Sequence, residues 1–182
     1  MAGGDPSPVG AGPQSPGGGL RLVPLGRADR DLVRGWLSQP ASRGWWGAPG
    51  AAEALTAIAF DSDRAICRMI ECSGEPVGYA HAIAAEMLGA EASGAFVPGI
   101  WECAVLVASE AHRGRGVGGA ALRALAAEVF ATTLAMGCVV RVAVRHERAV
   151  RAIEAAGFRW VSVGRDWGLG PVWLMRLDRP QR

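Results

Sequence analysis

A basic, glycine-rich loop is the stretch of this sequence whose residue types suit anion binding. It lies at Arg113–Gly119, after an apolar run that ends at Ala108 and before an Ala/Leu-rich segment that predicts a helix. Because glycine lacks a Cβ, backbone N–H groups in such a loop can approach an anion closely. The helix that begins near Val117 adds unpaired N–H groups and the positive end of its dipole. Arg113 and Arg115 add guanidinium groups that match phosphate oxygens, so the stretch predicts a pyrophosphate site.

Two common phosphate-binding loops fit this stretch poorly. A Walker-type loop ends in Gly-Lys-Ser/Thr, and this sequence contains no lysine. Gly114, Gly116 and Gly119 formally satisfy the G-x-G-x-x-G pattern of dinucleotide-binding folds. That loop normally opens its domain, and an acidic residue follows it about 20 positions later. Here the corresponding region carries Arg141 and Arg145. A dinucleotide-binding oxidoreductase is therefore kept only as an alternative function.

The loop resembles that of the GCN5-related N-acetyltransferases, the GNAT family, whose pattern is [Arg/Gln]-x-x-Gly-x-[Gly/Ala]. Arg113–Gly118 satisfies this pattern in register. A second segment, Ala149–Phe158, is similar to the family's A-x-x-x-Y-E-K-x-G-F sequence. The resemblance extends over residues 20–178. It implies an acetyl-CoA-dependent N-acetyltransferase of the α/β (α+β) class, with a mixed central sheet and helices on both faces.

The resemblance also implies a set of contacts to acetyl-CoA. The backbone N–H groups of Leu106 and Val107 are expected to polarise the thioester carbonyl. The remaining cofactor-binding residues are expected to be His112, Arg113, Gly114, Arg115, Gly116, Val117, Gly118, Gly119, His146 and Ile153. Two of these depart from the family. Ile153 stands where the family has the tyrosine that is implied to protonate the leaving CoA thiolate, and His146 stands where the family often has asparagine.

Short matches in the N-terminal half narrow the resemblance to the branch that contains aminoglycoside 6′-N-acetyltransferases and siderophore-type N-acyltransferases. These matches are Trp36, Arg43–Gly47, Gly74–Ala80 and Pro98–Ile100. In the aminoglycoside enzymes, an aspartate lies on the central strand at the position aligned with Ala104. Glu102 lies two residues earlier, and side chains two apart on a strand share a face. Glu102 is therefore the candidate general base, and a solvated or ion-paired carboxylate is the alternative.

The acceptor site is expected to include the adjacent residues Trp45 and Trp46. Neighbouring side chains cannot both point one way, so at least one should line a surface or cleft, with core packing as the alternative. Glu86 and Asp166 are further acidic residues that could frame an amine, and for Asp166 a plain turn in the last hairpin is the alternative. The implied acceptor is a primary amine on a small molecule, with an aminoglycoside-like compound as one candidate. The missing tyrosine suggests a catalytically weak acyl-CoA-binding or regulatory domain as the alternative.

The predicted elements place these residues in one domain with the order β-α-α-β-β-β-α-β-α-β-β. Strands are expected at 20–25, 65–70, 77–84, 100–107, 137–144, 158–164 and 171–177, and helices at 29–38, 51–60, 117–131 and 148–156. Residues 86–99 give no clear prediction. Residues 1–19 are rich in glycine and proline and predict a disordered tail, which leaves 20–182 as the acetyltransferase domain.

Composition excludes several other classes of protein. With 182 residues, half of them hydrophobic, the chain can bury a core, and its net charge of +2 gives no general attraction for nucleic acid. No apolar run reaches the ~18–20 residues of a membrane span and no secretory signal is evident, so a cytoplasmic monomer or homodimer without a membrane or nucleic-acid partner is expected. The four cysteines show no Cys-x-x-Cys spacing, which indicates buried thiols and no metal site. His81 and His112 show no partner in the sequence and are expected on a surface.

Overall fold

A seven-stranded mixed sheet in the order β1-β2-β3-β4-β5-β7-β6 organises the chain. The computed structural model describes residues 19–46, 50–88, 98–166 and 168–181. The strands are Leu20–Pro24 (β1), Ala65–Cys72 (β2), Glu75–Ala84 (β3), Ile100–Val107 (β4), Gly137–Ala143 (β5), Arg159–Asp166 (β6) and Gly170–Asp178 (β7). The helices are Arg30–Leu37 (α1), Pro40–Arg43 (α2), Ala51–Asp61 (α3), Val117–Thr132 (α4) and Glu147–Ala155 (α5). The pair β4–β5 is parallel and the other neighbouring pairs are antiparallel.

The predicted elements are present, with ends that shift by a few residues. The turn between β2 and β3 is tighter than predicted, since Ser73 and Gly74 alone connect the strands, both at positive φ (53° and 83°). Helix α2 was not predicted, because a proline such as Pro40 normally ends a helix. Proline is tolerated in the first helical turn, where its missing N–H is not needed. The predicted tail 1–19 lies outside the described residues except for Gly19, and so does most of 86–99.

Helices cover both faces of the sheet, as predicted. On one face, α4 and α5 pack over a large core that includes Leu125 and Phe158; we call this the α4 face. On the other, the α1 face, α1 and α3 pack against Tyr79, Ile83 and Leu106. The four cysteines are buried free thiols, as expected. No described helix has the length and apolar character that crossing a membrane requires.

Strands β4 and β5 diverge from a short parallel contact. Their ladder consists of Ile100–Gly137, Trp101–Cys138 and Glu102–Val139. Beyond Glu102, β4 continues beside β3, while β5 continues beside β7. The two strands therefore separate beyond Glu102, and we call the gap between their diverging ends the cleft, with Glu102 at the pair where they part.

This topology overturns the alternative of a dinucleotide-binding oxidoreductase. The glycine-rich loop follows the fourth strand, in a sheet whose neighbouring pairs are mostly antiparallel. A dinucleotide-binding domain would place that loop after its first strand, in a parallel sheet. The three glycines match the pattern because both kinds of loop need close backbone approach to phosphate.

Candidate active site

The glycine-rich loop joins β4 to α4 and presents free backbone donors. Gly114 and Gly116 adopt φ values of +78° and +80°, in the left-handed region that favours glycine, and Gly116 caps α4. The first helical bond at this end runs from the Ala120 N–H to the Gly116 carbonyl. The N–H groups of the helical residues before Ala120 therefore have no carbonyl partner within α4. These residues, Val117, Gly118 and Gly119, belong to the predicted pyrophosphate site.

Arg113 braces this loop against the end of β4. Its Nε donates to the carbonyl of Val107 at 2.9 Å, and its Nη2 donates to the carbonyl of Ala108 at 2.8 Å. Its Nη1 lies 3.7 Å from the carboxylate of Glu110. The guanidinium is thus engaged with the protein, and a direct contact with phosphate stays a prediction. Arg115 is exposed, and His112 lies 2.9 Å through its Nδ1 from the Ser109 hydroxyl.

Arg148, which sequence reasoning missed, lies over the same loop. A Cβ at Gly114 would collide with its Nη2 and would lie 3.0 Å from its Cζ. The arginine stands in the first turn of α5, so the helix brings a second guanidinium to the loop. In the sequence, Arg148 is an ordinary basic residue near a helix start, with no signal of its spatial neighbour.

The two tryptophans point in different directions, as predicted. Trp45 is 38% exposed and stacks on His146, with 3.9 Å between ring centroids. Arg145 reaches the same ring at 5.2 Å, and its Nη2 donates to the carbonyl of Gly44 at 3.2 Å. Burial, together with the guanidinium groups of Arg148 and Arg145, lowers the pKa of His146. Trp45 thus binds the loop before α5, where the predicted cofactor contact His146 lies.

Trp46 turns toward the α1 face and packs near Tyr79 and His81, at centroid distances of 6.1 and 5.8 Å. The expectation that His81 lies on a surface was wrong, since the residue is 2% exposed. The physical reason is that β3 is an interior strand between β2 and β4, with helices over both faces. The Nδ1 of His81 lies 2.9 Å from the Tyr79 hydroxyl, and burial lowers the pKa of His81 to about 4.

Glu102 is bound through one carboxylate oxygen and unpaired at the other. Its side chain is buried, and Oε1 accepts hydrogen bonds from the Nε and Nη2 of Arg141 at 3.0 and 2.8 Å. Its Oε2 is buried and has no hydrogen-bond partner among the described residues. Burial raises the pKa of Glu102, Arg141 opposes that rise, and the nearby Asp166 carboxylate adds to it. A buried acceptor without a partner is costly, so this oxygen is available to a donor from water or from a bound molecule.

Sequence reasoning used Arg141 only as evidence against another fold, although it is the partner of Glu102. Its Nη1 also lies 3.7 Å from Oδ2 of Asp166, so one guanidinium forms ion pairs with two carboxylates. The signal in the sequence was a single arginine within the apolar strand β5. The partner could not be identified there, because the ladder between β4 and β5 fixes which residues face each other.

The other predicted residues lie at different distances from this cluster. Glu86 forms an ion pair with Arg64 after β3. Leu106 and Val107 lie at the diverging end of β4. Ile153 is buried in the core of the α4 face. The structure thus brings together Glu102 and Asp166 around Arg141, and it groups the glycine loop with Arg148.

Comparisons with known proteins agree with this architecture. Residues 26–164 match the family model described as an acetyltransferase (GNAT) domain. A crystal structure of the aminoglycoside acetyltransferase AAC(6')-Ib in complex with coenzyme A is similar, with a TM-score of 0.75, 24% identity and coverage of 88% of this chain and 95% of that chain. The same enzyme with ribostamycin and coenzyme A gives a TM-score of 0.76, 23% identity and coverage of 88% and 94%.

An aminoglycoside N(6')-acetyltransferase from Legionella pneumophila is also similar, with a TM-score of 0.68, 16% identity and coverage of 88% of this chain and 92% of that chain. At such identities, the likeness to solved structures shows the fold alone. A comparison with curated protein sequences gives no match.

Proposed function

The chain belongs to the GNAT acetyltransferase family, and from that premise we propose that it transfers an acetyl group from acetyl-CoA to a primary amine of a small molecule. N-acetyl transfer and the use of acetyl-CoA follow from the family. The observation that supports an amine as the acceptor is the unpaired Oε2 atom of Glu102. It is a buried carboxylate oxygen without a partner among the described residues, at the base of the cleft between β4 and β5.

The glycine-rich loop supports binding of the pyrophosphate of acetyl-CoA. Left-handed backbone at Gly114 and Gly116 lets the loop turn without a Cβ in the way, and the first N–H groups of α4 have no helical partner. The helix dipole favours negative charge at the same point. Arg148 adds a guanidinium directly over the loop. We assign the thioester to the diverging end of β4, beside Leu106 and Val107.

The proposed reaction is attack of a neutral amine on the thioester carbonyl carbon. A C–N bond forms, the C–S bond breaks, CoA leaves as the thiolate, and the proton that the nitrogen loses as the amide forms passes through solvent to that thiolate. An alkylammonium group with a pKa of about 10 must first lose a proton, and Oε2 of Glu102 accepts it. Burial makes Glu102 a stronger base than an ordinary carboxylate, while Arg141 holds its other oxygen. A thiol with a pKa of about 8.5 leaves without a strong acid, which is consistent with isoleucine at position 153.

Aminoglycosides are one candidate for the acceptor, because several of the similar structures are aminoglycoside acetyltransferases. A siderophore-type acyl acceptor is a further candidate from the same branch. The alternative of a weak or regulatory acyl-CoA-binding domain rests on one observation, the buried Ile153 in place of an acid. The cytoplasmic location, the oligomeric state and the disordered tail stay predictions.

The test is thiol release from acetyl-CoA in the presence of a panel of amines, with product mass measured for each active amine. We expect release that depends on the amine and a mass gain of one acetyl group. Calorimetric binding of acetyl-CoA without release for any amine would support the regulatory alternative instead.

A further inference from the structure

The carboxylates near the candidate acceptor site are mostly occupied by the protein itself. Glu86 is paired with Arg64. Oδ1 of Asp166 accepts hydrogen bonds from the N–H groups of Gly168 and Leu169 at 2.8 and 3.0 Å. Its Oδ2 lies 3.7 Å from Arg141. Oε1 of Glu102 is also taken by Arg141, so Oε2 of Glu102 is the buried oxygen of the Glu102–Arg141–Asp166 cluster that has no hydrogen-bond partner among the described residues.

The net charge of this cluster can neutralise one ammonium group. Glu102 and Asp166 carry two negative charges and Arg141 carries one positive charge, which leaves one negative charge for a ligand. Arg141 is mostly buried, with a side chain 20% exposed, so water screens its charge weakly. Among the described residues, a second ammonium on the same ligand would meet the guanidinium of Arg141 rather than another buried, unpaired carboxylate oxygen.

The wall beside Glu102 is uncharged. Ala104 faces His81 across the β3–β4 ladder, and Glu102 lies two residues along the same strand. His81 is buried, and Trp46 packs edge-on against it. Burial keeps the imidazole of His81 neutral at physiological pH. Further along, Arg145 lies over the ring of Trp45 and adds a second positive charge on that side.

We propose that the acceptor is a primary amine with a single positive charge and an uncharged body, and that Arg141 is the specificity-determining residue that rejects diamines and polycations. This inference rests on the proposed function, because it describes the acceptor of the same site. It separates this chain from an enzyme for aminoglycosides, whose several ammonium groups need several free carboxylates.

The experiment compares pentylamine with cadaverine, which differs by one terminal ammonium group, and with kanamycin as a polycation. Thiol release from acetyl-CoA is measured with the full-length protein at low and high salt. We expect kcat/KM for pentylamine to exceed that for cadaverine by at least about tenfold at low salt, and this difference to persist at high salt, because salt screens a mostly buried charge weakly.

The Arg141→Gln variant removes the repelling charge, so it should lower KM for cadaverine relative to pentylamine. The control is Arg176→Gln, because Arg176 forms an ion pair with Asp178 on the same strand, β7. This variant should keep the native ratio of KM for cadaverine to KM for pentylamine. If Arg141→Gln fails to fold, the native protein alone tests the inference. The measured quantity is then the ratio of kcat/KM for pentylamine to kcat/KM for cadaverine, together with its salt dependence.

Faster acetylation of cadaverine or kanamycin than of pentylamine by the native protein would overturn the inference and leave the proposed function standing. An Arg141→Gln variant that folds and keeps the native ratio would overturn the role of Arg141. If the protein binds acetyl-CoA but releases no thiol with any of these amines or with the wider panel, the proposed function fails and the inference fails with it.

Discussion

In Glu102, Oε1 is hydrogen-bonded to Arg141, and Oε2 has no partner among the described residues. This arrangement predicts how replacing Glu102 alters the reaction rate. Glu102→Gln keeps the size of the side chain but removes the base, so kcat/KM at neutral pH should fall by about 10²–10⁴-fold. Raising the pH should partly restore the rate, because more of the amine becomes neutral without help. The native enzyme should gain activity as the pH rises through the pKa of Glu102, which burial places above its ordinary value. The measurement is the pH–rate profile of both proteins.

The control for this experiment is Glu53→Gln, since Glu53 is an exposed carboxylate on α3. It should leave the pH–rate profile unchanged. A Glu102→Gln profile that follows the native one would remove Glu102 from the proton path and assign deprotonation of the amine to water.

His81 predicts a loss of stability in acid. Its pKa in the folded protein is about 4, below the ordinary 6.5, so the unfolded chain binds the proton more readily. Its contribution to stability is complete above pH 6.5 and is lost as the pH falls toward 4, by about 3 kcal/mol if no other group compensates. His81→Gln retains a hydrogen-bonding side chain without this titration. Its free energy of unfolding should therefore change less between pH 7 and pH 4 than that of the native protein, as measured by urea denaturation.

Glu102 has the opposite effect on the pH dependence of stability, because its pKa is raised in the folded state. Its contribution is full at acid pH and is lost as the pH rises through the folded pKa. The comparison of His81→Gln with the native protein cancels this effect, since Glu102 is present in both. Parallel pH curves for the two proteins would show that His81 does not titrate as its burial requires.

At the scale of elements, the contact between α5 and the glycine-rich loop predicts a cofactor contact that has a matched control. Arg148→Gln should weaken acetyl-CoA binding by about 1.5–3 kcal/mol, the range for a hydrogen bond to a charged group. Arg151→Gln removes the same charge from the same helix, but its side chain is 70% exposed and paired with Glu147. It should leave the affinity nearly unchanged. Calorimetric titration of both variants measures the difference, and equal affinities would exclude Arg148 from the cofactor site.

The same elements explain how the loop is held in its shape. Arg113 ties it to the end of β4, and Gly119 allows close packing of α4 on α5, since a Cβ there would lie 2.9 Å from the carbonyl oxygen of Ala152. The loop is therefore built between two packed elements. Such pre-organisation reduces the entropy that the cofactor must remove on binding.

At the scale of the whole molecule, acetyl-CoA should act as a stabiliser. A ligand that binds only the folded state at about 100 times its Kd adds about 2.7 kcal/mol to the free energy of unfolding. The melting temperature should therefore rise with acetyl-CoA and with CoA, and NAD(H) should have no such effect. A thermal-shift series with the three ligands measures this. A rise with NAD(H) alone would contradict the assignment of the glycine-rich loop to acyl-CoA.

The stack of Trp45 on His146 joins segments about a hundred positions apart in the chain, together with the hydrogen bond from Arg145 to Gly44. One partner lies in the loop after α2 and the other at the start of α5. The predicted acceptor residue and the predicted cofactor contact are thus in direct contact.

The sequence by itself determined most of the elements and predicted the anion-binding loop. The Arg-x-x-Gly-x-Gly pattern, the apolar run of β4 and the Ala/Leu run of α4 are contiguous, and the chemistry of such a loop depends on neighbours within one strand, turn and helix. The choice of Glu102 as candidate base also came from the sequence, through the alternation of side chains along β4.

Only the tertiary structure decided which side chains contact these residues. The pairing of Glu102 with Arg141 depends on the register between β4 and β5, and the contact of Arg148 with Gly114 depends on how α5 packs beside the loop. The burial of His81 depends on β3 being an interior strand. Local residue patterns specify local structure, whereas partners distant along the chain are set by strand register and helix packing, which no single stretch of sequence encodes.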